Sequence, residues 1–144
     1  MRPKKRVLLF CADETLSGLI RYRMELRHAI RVTAVHTKEA LVAALLDPEG
    51  WRGMVHIVSP SAPNESVAAL MAAAEGEAAR VEIWPERERE LYDPSWSTAH
   101  RVVWTDNPGL ACPVVAAAMR SKRGPKRPVR CPLPQALTRQ EVYA

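Results

Sequence analysis

The feature that most limits how this chain folds is a series of five short apolar runs with helical stretches between them. The first is Arg6-Val7-Leu8-Leu9-Phe10-Cys11, and others occupy residues 30–35, 54–58, 81–84 and 101–104. Runs this short and continuous mark strands covered on both faces, the situation of a parallel sheet with helices on each side. Leu16, Leu19, Ile20, Met24 and Leu26 recur near helical spacing, with Thr15 ahead of them as a capping residue. A second helix opens at Thr37-Lys38-Glu39-Ala40 and stops at Asp47-Pro48-Glu49-Gly50, where proline and glycine break the pattern. Residues 66–75 form a third, rich in alanine, and residues 108–119 read as the last helix. Strand and helix alternate, so the expected architecture is an α/β/α sandwich around a five-stranded parallel sheet.

One link breaks the rhythm. Glu86-Arg87-Glu88-Arg89-Glu90-Leu91 suits a turn or two of helix, but Tyr92-Asp93-Pro94-Ser95-Trp96 interrupts it. The fourth helix is expected to be short or irregular. Tyr92 and Trp96 lie in this odd stretch, and aromatics there favour a partner surface over local packing.

Charge divides the chain into parts. The 144 residues carry a formal charge of +5, yet residues 7–119 hold 10 bases against 15 acids. The basicity sits at the ends: Arg2, Lys4, Lys5 and Arg6 at one, and Arg120, Lys122, Arg123, Lys126, Arg127 and Arg130 at the other, with no acid among them. A uniformly basic nucleic-acid-binding globule is excluded. Residues 1–119 therefore read as the domain, and residues 120–144 as a tail in which Pro125, Pro128, Pro132 and Pro134 favour extended chain. The tail is similar to a minor-groove AT-hook, but Pro125 follows Gly124 directly and the defining Gly-Arg-Pro is missing. The six cations of residues 120–130 still attract a phosphate backbone, against the plainer reading of a solvated basic linker.

Other classes drop out by inspection. No apolar run approaches the roughly 18 residues of a membrane span, and residues 7–12 are too short for a signal-peptide core, so a cytoplasmic location with no membrane partner is expected. Three scattered cysteines, Cys11, Cys112 and Cys131, fit a reducing compartment better than a disulfide framework. The four histidines show no metal-ligand spacing, and there is no glycine-rich phosphate loop. No cofactor is expected, and with no base–nucleophile pair in evidence neither is an enzyme activity.

In open parallel sheets the functional residues gather at the carboxyl ends of the strands. The stretch Leu8-Leu9-Phe10-Cys11-Ala12-Asp13-Glu14-Thr15 resembles the first strand of response-regulator receiver (CheY-like) domains, where a hydrophobic strand ends in acids. Val55-His56-Ile57-Val58-Ser59-Pro60-Ser61-Ala62-Pro63 resembles their phosphoacceptor strand and its proline turn. Val102-Val103-Trp104-Thr105-Asp106-Asn107-Pro108 resembles the strand that ends in Lys-Pro. The resemblance covers about residues 5–119 and implies a flavodoxin-like strand order of 2-1-3-4-5.

It also implies a site in which an aspartate takes a phosphoryl group, paired acids hold Mg²⁺, and a hydroxyl and a lysine read the phosphoryl oxygens. This sequence departs from that pattern at four of five positions. Ala12 stands at the first metal acid, Ser59 at the nucleophile, Trp84 (or Pro85) at the hydroxyl and Asn107 at the lysine. Only Asp13 keeps its chemistry, and no Asp or Glu occurs anywhere in residues 55–64. Asp13, with Glu14 beside it, is the candidate metal ligand, but helix capping by Asp13 is the favoured role. Trp84 and Trp104 are expected to fill the vacated space. The expectation is a pseudo-receiver that meets a protein partner, or a second copy, through the 86–105 face, with nucleic-acid association through the tail as the alternative.

Overall fold

A computed structural model describes residues 5–28, 30–60, 62–74, 78–87, 95, 99 and 101–120. Five strands, β1 (Lys5–Phe10), β2 (Ile30–Val35), β3 (Gly53–Ile57), β4 (Ala79–Trp84) and β5 (Arg101–Trp104), alternate with helices α1 (Glu14–Arg27), α2 (Lys38–Leu45), α3 (Asn64–Ala74) and α4 (Cys112–Arg120). All strand pairs are parallel, and the order across the sheet is β2-β1-β3-β4-β5. The expected fold class and strand order are both present.

Side chains alternate across the sheet because successive Cβ atoms of a strand point to opposite faces. Val7 and Leu9 of β1, Val55 of β3 and Val81 of β4 meet Ile20 and Met24 of α1 and Val115 and Met119 of α4. On the other face Leu8, Phe10 and Met54 meet Leu41 of α2 and Val67 and Met71 of α3. The β1 run is apolar throughout because each of its faces feeds one of these two cores. Trp51, in the loop before β3, borders the second core, and its indole donates to the Ala44 carbonyl at 3.0 Å.

Boundaries differ from expectation at α1 and at the last helix. The α1 helix begins at Glu14 with Asp13 as its N-cap, not at Thr15, because the Asp13 carboxylate accepts from the Leu16 amide at 3.1 Å. The last helix is split: Pro108–Ala111 form a 3₁₀ turn and α4 follows. Proline fits the first position of such a turn, where its missing N–H is no loss. Glu86 and Arg87 begin a 3₁₀ turn, and the rest of the expected short fourth helix lies outside the described residues.

The end of the sheet where the strands begin is held by cations. Arg6 donates to the Gly50 carbonyl at 2.7 Å, pairs with Asp47 at 2.9 Å and Glu49 at 3.1 Å, and lies 4.2 Å from the Trp51 ring centroid. Gly50 takes a φ of +71° there, a conformation that costs glycine nothing. Arg52 Nε and Lys5 Nζ both donate to the Met119 carbonyl, at 3.0 and 3.3 Å. They complement the partial negative charge at the end of α4. Gly53 lets the Met119 thioether come down onto β3, since a Cβ there would collide with it.

Candidate functional site at the strand ends

The sheet's hydrogen bonding runs one residue past several strands, which brings the chain ends level. Cys11 N–H donates to Val35 O at 3.1 Å, Val58 N–H to Ile83 O at 2.9 Å and Thr105 N–H to Trp84 O at 2.9 Å. The residues that follow β1, β3 and β5, and the last residue of β4, therefore share one end of the sheet. Ala12, Asp13, Ser59, Trp84 and Asn107 all lie at this end, each for its own local reason.

Asp13 is exposed and spends its carboxylate on the α1 cap. Its neighbour Cys11 is buried, its Sγ donating to the Asp13 carbonyl at 3.4 Å. Burial pushes the Cys11 thiol above its ordinary pKa, which disfavours the reactive thiolate. The Cys11 carbonyl is met by His36 Nδ1 at 2.9 Å; a carbonyl only accepts, so the proton of this bond is on His36. Among the described residues no three His, Cys, Asp or Glu side chains gather as a metal site would require.

Ser59 is partly buried at the start of a tight turn. Its carbonyl accepts from Ala62 N–H at 3.2 Å and from the Asn64 side chain at 2.8 Å, so the backbone at this position is fixed by the turn into α3. Asn107 is exposed, and its Oδ1 accepts from Gly109 N–H at 3.2 Å as the cap of the 3₁₀ turn. The Thr105 hydroxyl accepts from Asn107 N–H at 3.0 Å and lies 3.2 Å from the Asn107 carbonyl. Asp106 bridges to the turn after β4, accepting from Arg87 N–H at 3.0 Å and pairing with Arg87 Nε at 3.3 Å. The backbone bond first, and the guanidinium with it, hold the Asp106 carboxyl below the usual range. The side chains of Asp13, Asp106 and Asn107 and the carbonyl of Ser59 are thus each bonded within their own loop or to the next one.

Trp84 is fully buried. Its indole N–H donates to Glu82 Oε1 at 2.9 Å, and its ring lies 5.5 Å from that of Trp104, tilted by 41°. The two tryptophans are register partners on β4 and β5. Glu82 in turn is register partner to His56 on β3, and Arg80 to Met54. His56, Arg80 and Glu82 are each 3% exposed or less, which puts a line of polar groups inside the central strands. Burial, above all, lowers the His56 pKa to about 4, so the ring is neutral near pH 7.

This buried polar line is what reading the sequence for motifs overlooked. The signal lay in the alternation: Arg80 and Glu82 sit two apart within β4, so they share a face of a strand with neighbours on both sides. Tyr92, Trp96, Lys122, Arg123, Lys126, Arg127 and Arg130 lie outside the described residues. Arg120 is the last residue of α4. Of the 86–105 face, Ser95 is exposed, Ala99 is buried and β5 is half-buried. No helix among the described residues is long and apolar enough to cross a membrane.

No protein-family model matches the chain, and no curated protein matches it. Solved structures do. A response regulator receiver protein from Sinorhizobium medicae WSM419 superposes with a TM-score of 0.66 at 15% identity, over 83% of this chain and 97% of that one. The receiver domain of Francisella response regulator 1452 gives 0.64 at 11% identity, over 83% and 99%. A structure described as an adenylate cyclase from Rhodopirellula baltica gives 0.64 at 10% identity, over 97% of each chain. The fold is that of response-regulator receiver domains.

Proposed function

We propose that this chain is a receiver-like signalling domain that is not phosphorylated on aspartate, has no catalytic role, and acts through protein–protein contact. The fold supports the first part of the reading, since receiver domains are its structural neighbours. The single observation that carries the rest is the end of β3. A phosphoaspartate needs a carboxylate there; the position holds Ser59, and residues 55–64 contain no Asp or Glu.

The surrounding groups support the same reading. Asp13 is engaged in a helix cap, Asn107 in a turn cap, and Trp84 occupies the switch position with its indole already bonded to Glu82. Packed cores resist continuous reshaping, so an indole in this position holds one conformation where a hydroxyl would move between two. Output then comes from a fixed surface. The 86–105 face, with Tyr92 and Trp96, is one candidate for it, toward a protein partner or a second copy. The α1 helix offers another, where Leu19, Tyr22 and Leu26 are 48%, 64% and 63% exposed at helical spacing.

The test is phosphotransfer. After incubation with acetyl phosphate and Mg²⁺, intact mass spectrometry is expected to return the unmodified chain. A hydroxylamine-sensitive phosphoadduct overturns the reading.

A second reading, nucleic-acid association through the tail, is favoured by the six cations and no acid in residues 120–130.

A further inference from the structure

The outer side of α4 is apolar. Residues 113–119 carry no polar side chain. Val115, Ala116 and Met119 among them are buried against the sheet, whereas Pro113 and Ala117 are exposed. A helix that is apolar all round is normally a buried helix, so the outer side of α4 lacks the polar face that solvent calls for. The neighbouring α1 has the same character. Ile20 and Met24 face the same core as α4, while Leu19, Tyr22 and Leu26 stand outward, each about half to two-thirds exposed. Their spacing of three and four is that of a coiled-coil seam, on the side of the helix away from the core. The 3₁₀ turn before α4 joins the two strips. Leu110 is 65% exposed there, and the missing Cβ of Gly109 leaves room for the Arg23 guanidinium of α1 to lie against the turn.

Charge on this surface is divided along its length. Both helices begin at the end of the sheet where the strands finish, α1 after β1 and α4 after β5. Asp13 and Glu14 are exposed at that end of α1, and Arg23 and Arg27 are exposed in its second half. Glu25, the acid of that half, is paired with Arg21 at 3.7 Å.

We propose that the α1–α4 surface is the contact between two copies of this chain. A two-fold axis lying across the helices stacks α1 on the partner's α1 and α4 on the partner's α4, each pair antiparallel. The proposal rests on the reading above that the chain acts through protein–protein contact; it names the partner and extends the surface from α1 to α4.

Three features favour a second copy. The first is area. A standard interface buries about 800 Å² per partner, roughly 60% of it apolar. Tyr22 and three leucines at this exposure, with Pro113 and Ala117 beside them, present apolar surface of that order. The second is register. An antiparallel α1 pair centred between Tyr22 and Arg23 sets each Leu19 against the partner's Leu26, and each Arg23 beside the partner's Tyr22 ring in a cation–π contact. The third is charge. The antiparallel order lays the acidic start of each α1 over the basic end of the other, whereas a parallel order sets like charge on like.

The experiment is sedimentation velocity of the full chain from 1 to 200 µM, with far-UV circular dichroism to confirm that each variant is folded. The parent is expected to pass from monomer to dimer with a dissociation constant on the order of micromolar. Leu26→Glu, at an exposed position, is expected to weaken the dimer by about tenfold or more. Arg27→Glu is expected to weaken it several-fold, and Glu14→Lys added to Arg27→Glu to restore it. A dimer unchanged by Leu26→Glu overturns this surface. Weakening by Arg27→Glu that the added Glu14→Lys does not restore overturns the antiparallel order. A parent that stays monomeric at 200 µM overturns the second copy as partner and leaves the reading of an unphosphorylated domain in place. A dimer that forms only after acetyl phosphate and Mg²⁺ are added overturns that reading instead.

Discussion

The indole of Trp84 donates to the carboxylate of Glu82, two residues back on the same strand, at 2.9 Å, with both side chains buried in the sheet. Residues two apart on a strand share a face, so this bond runs along β4. It ties the last residue of β4 to a carboxyl group held within the fold. Replacing Trp84 by Phe keeps most of the ring volume and removes one donor from Glu82, at a cost of about 1–3 kcal/mol. Trp84→Ala adds a cavity and costs about 3–5 kcal/mol. Urea unfolding monitored by far-UV circular dichroism separates the two. A Phe variant as stable as the parent contradicts the role given to the bond.

Much of this arrangement was legible in the sequence, and the rest was not, for identifiable reasons. The short continuous runs showed five strands because a parallel strand buries both faces, and the structure places all five within one or two residues of those runs. The strand ends were readable because Ser59 and Asn107 precede prolines at fixed offsets in the turns. The start of α1 was misplaced because Thr15 and Asp13 are both good caps, and only the Leu16 amide decides between them. The buried line of His56, Arg80 and Glu82 escaped because charge reads as surface until the neighbours on either side of a strand are known.

His56 makes stability depend on pH with a definite sign. Burial lowers its pKa from 6.5 to about 4, with a contribution from nearby Arg80 and partial opposition from a bond with Asn64. The folded chain holds the ring neutral, whereas the unfolded chain takes up a proton as pH falls below 6.5. The stabilisation is whole above that value and is lost as pH falls toward 4, by on the order of 3 kcal/mol in all. Denaturant unfolding of the parent and of His56→Gln across pH 4–7 measures it. The difference between the two curves is expected to change over this window, and a constant difference contradicts a buried neutral ring.

Glu25 protects an open edge of the sheet. The β2 strand is outermost, and its Val32 N–H, which points away from β1, donates to Glu25 Oε2 at 2.8 Å. Unpaired edge donors are templates for strand addition, and a side chain that occupies one blocks it. Glu25→Ala is expected to lose about 1 kcal/mol and to self-associate in sedimentation velocity at concentrations where the parent does not. Glu25→Gln keeps an acceptor oxygen and is expected to behave as the parent. Equal sedimentation of all three chains contradicts this role.

The central claim is that the strand-end site has been given over to local structure and responds neither to Mg²⁺ nor to a phosphoryl group. The most direct measurement is a ¹H–¹⁵N correlation spectrum of the full chain recorded before and after adding Mg²⁺ with beryllofluoride, a phosphoryl mimic. The account predicts unchanged amide positions for Ala12, Asp13, Ser59, Trp84 and Asn107. Saturable shifts at Asp13 and Ser59 that spread to Trp84 and Trp104 would contradict it and reveal a working switch.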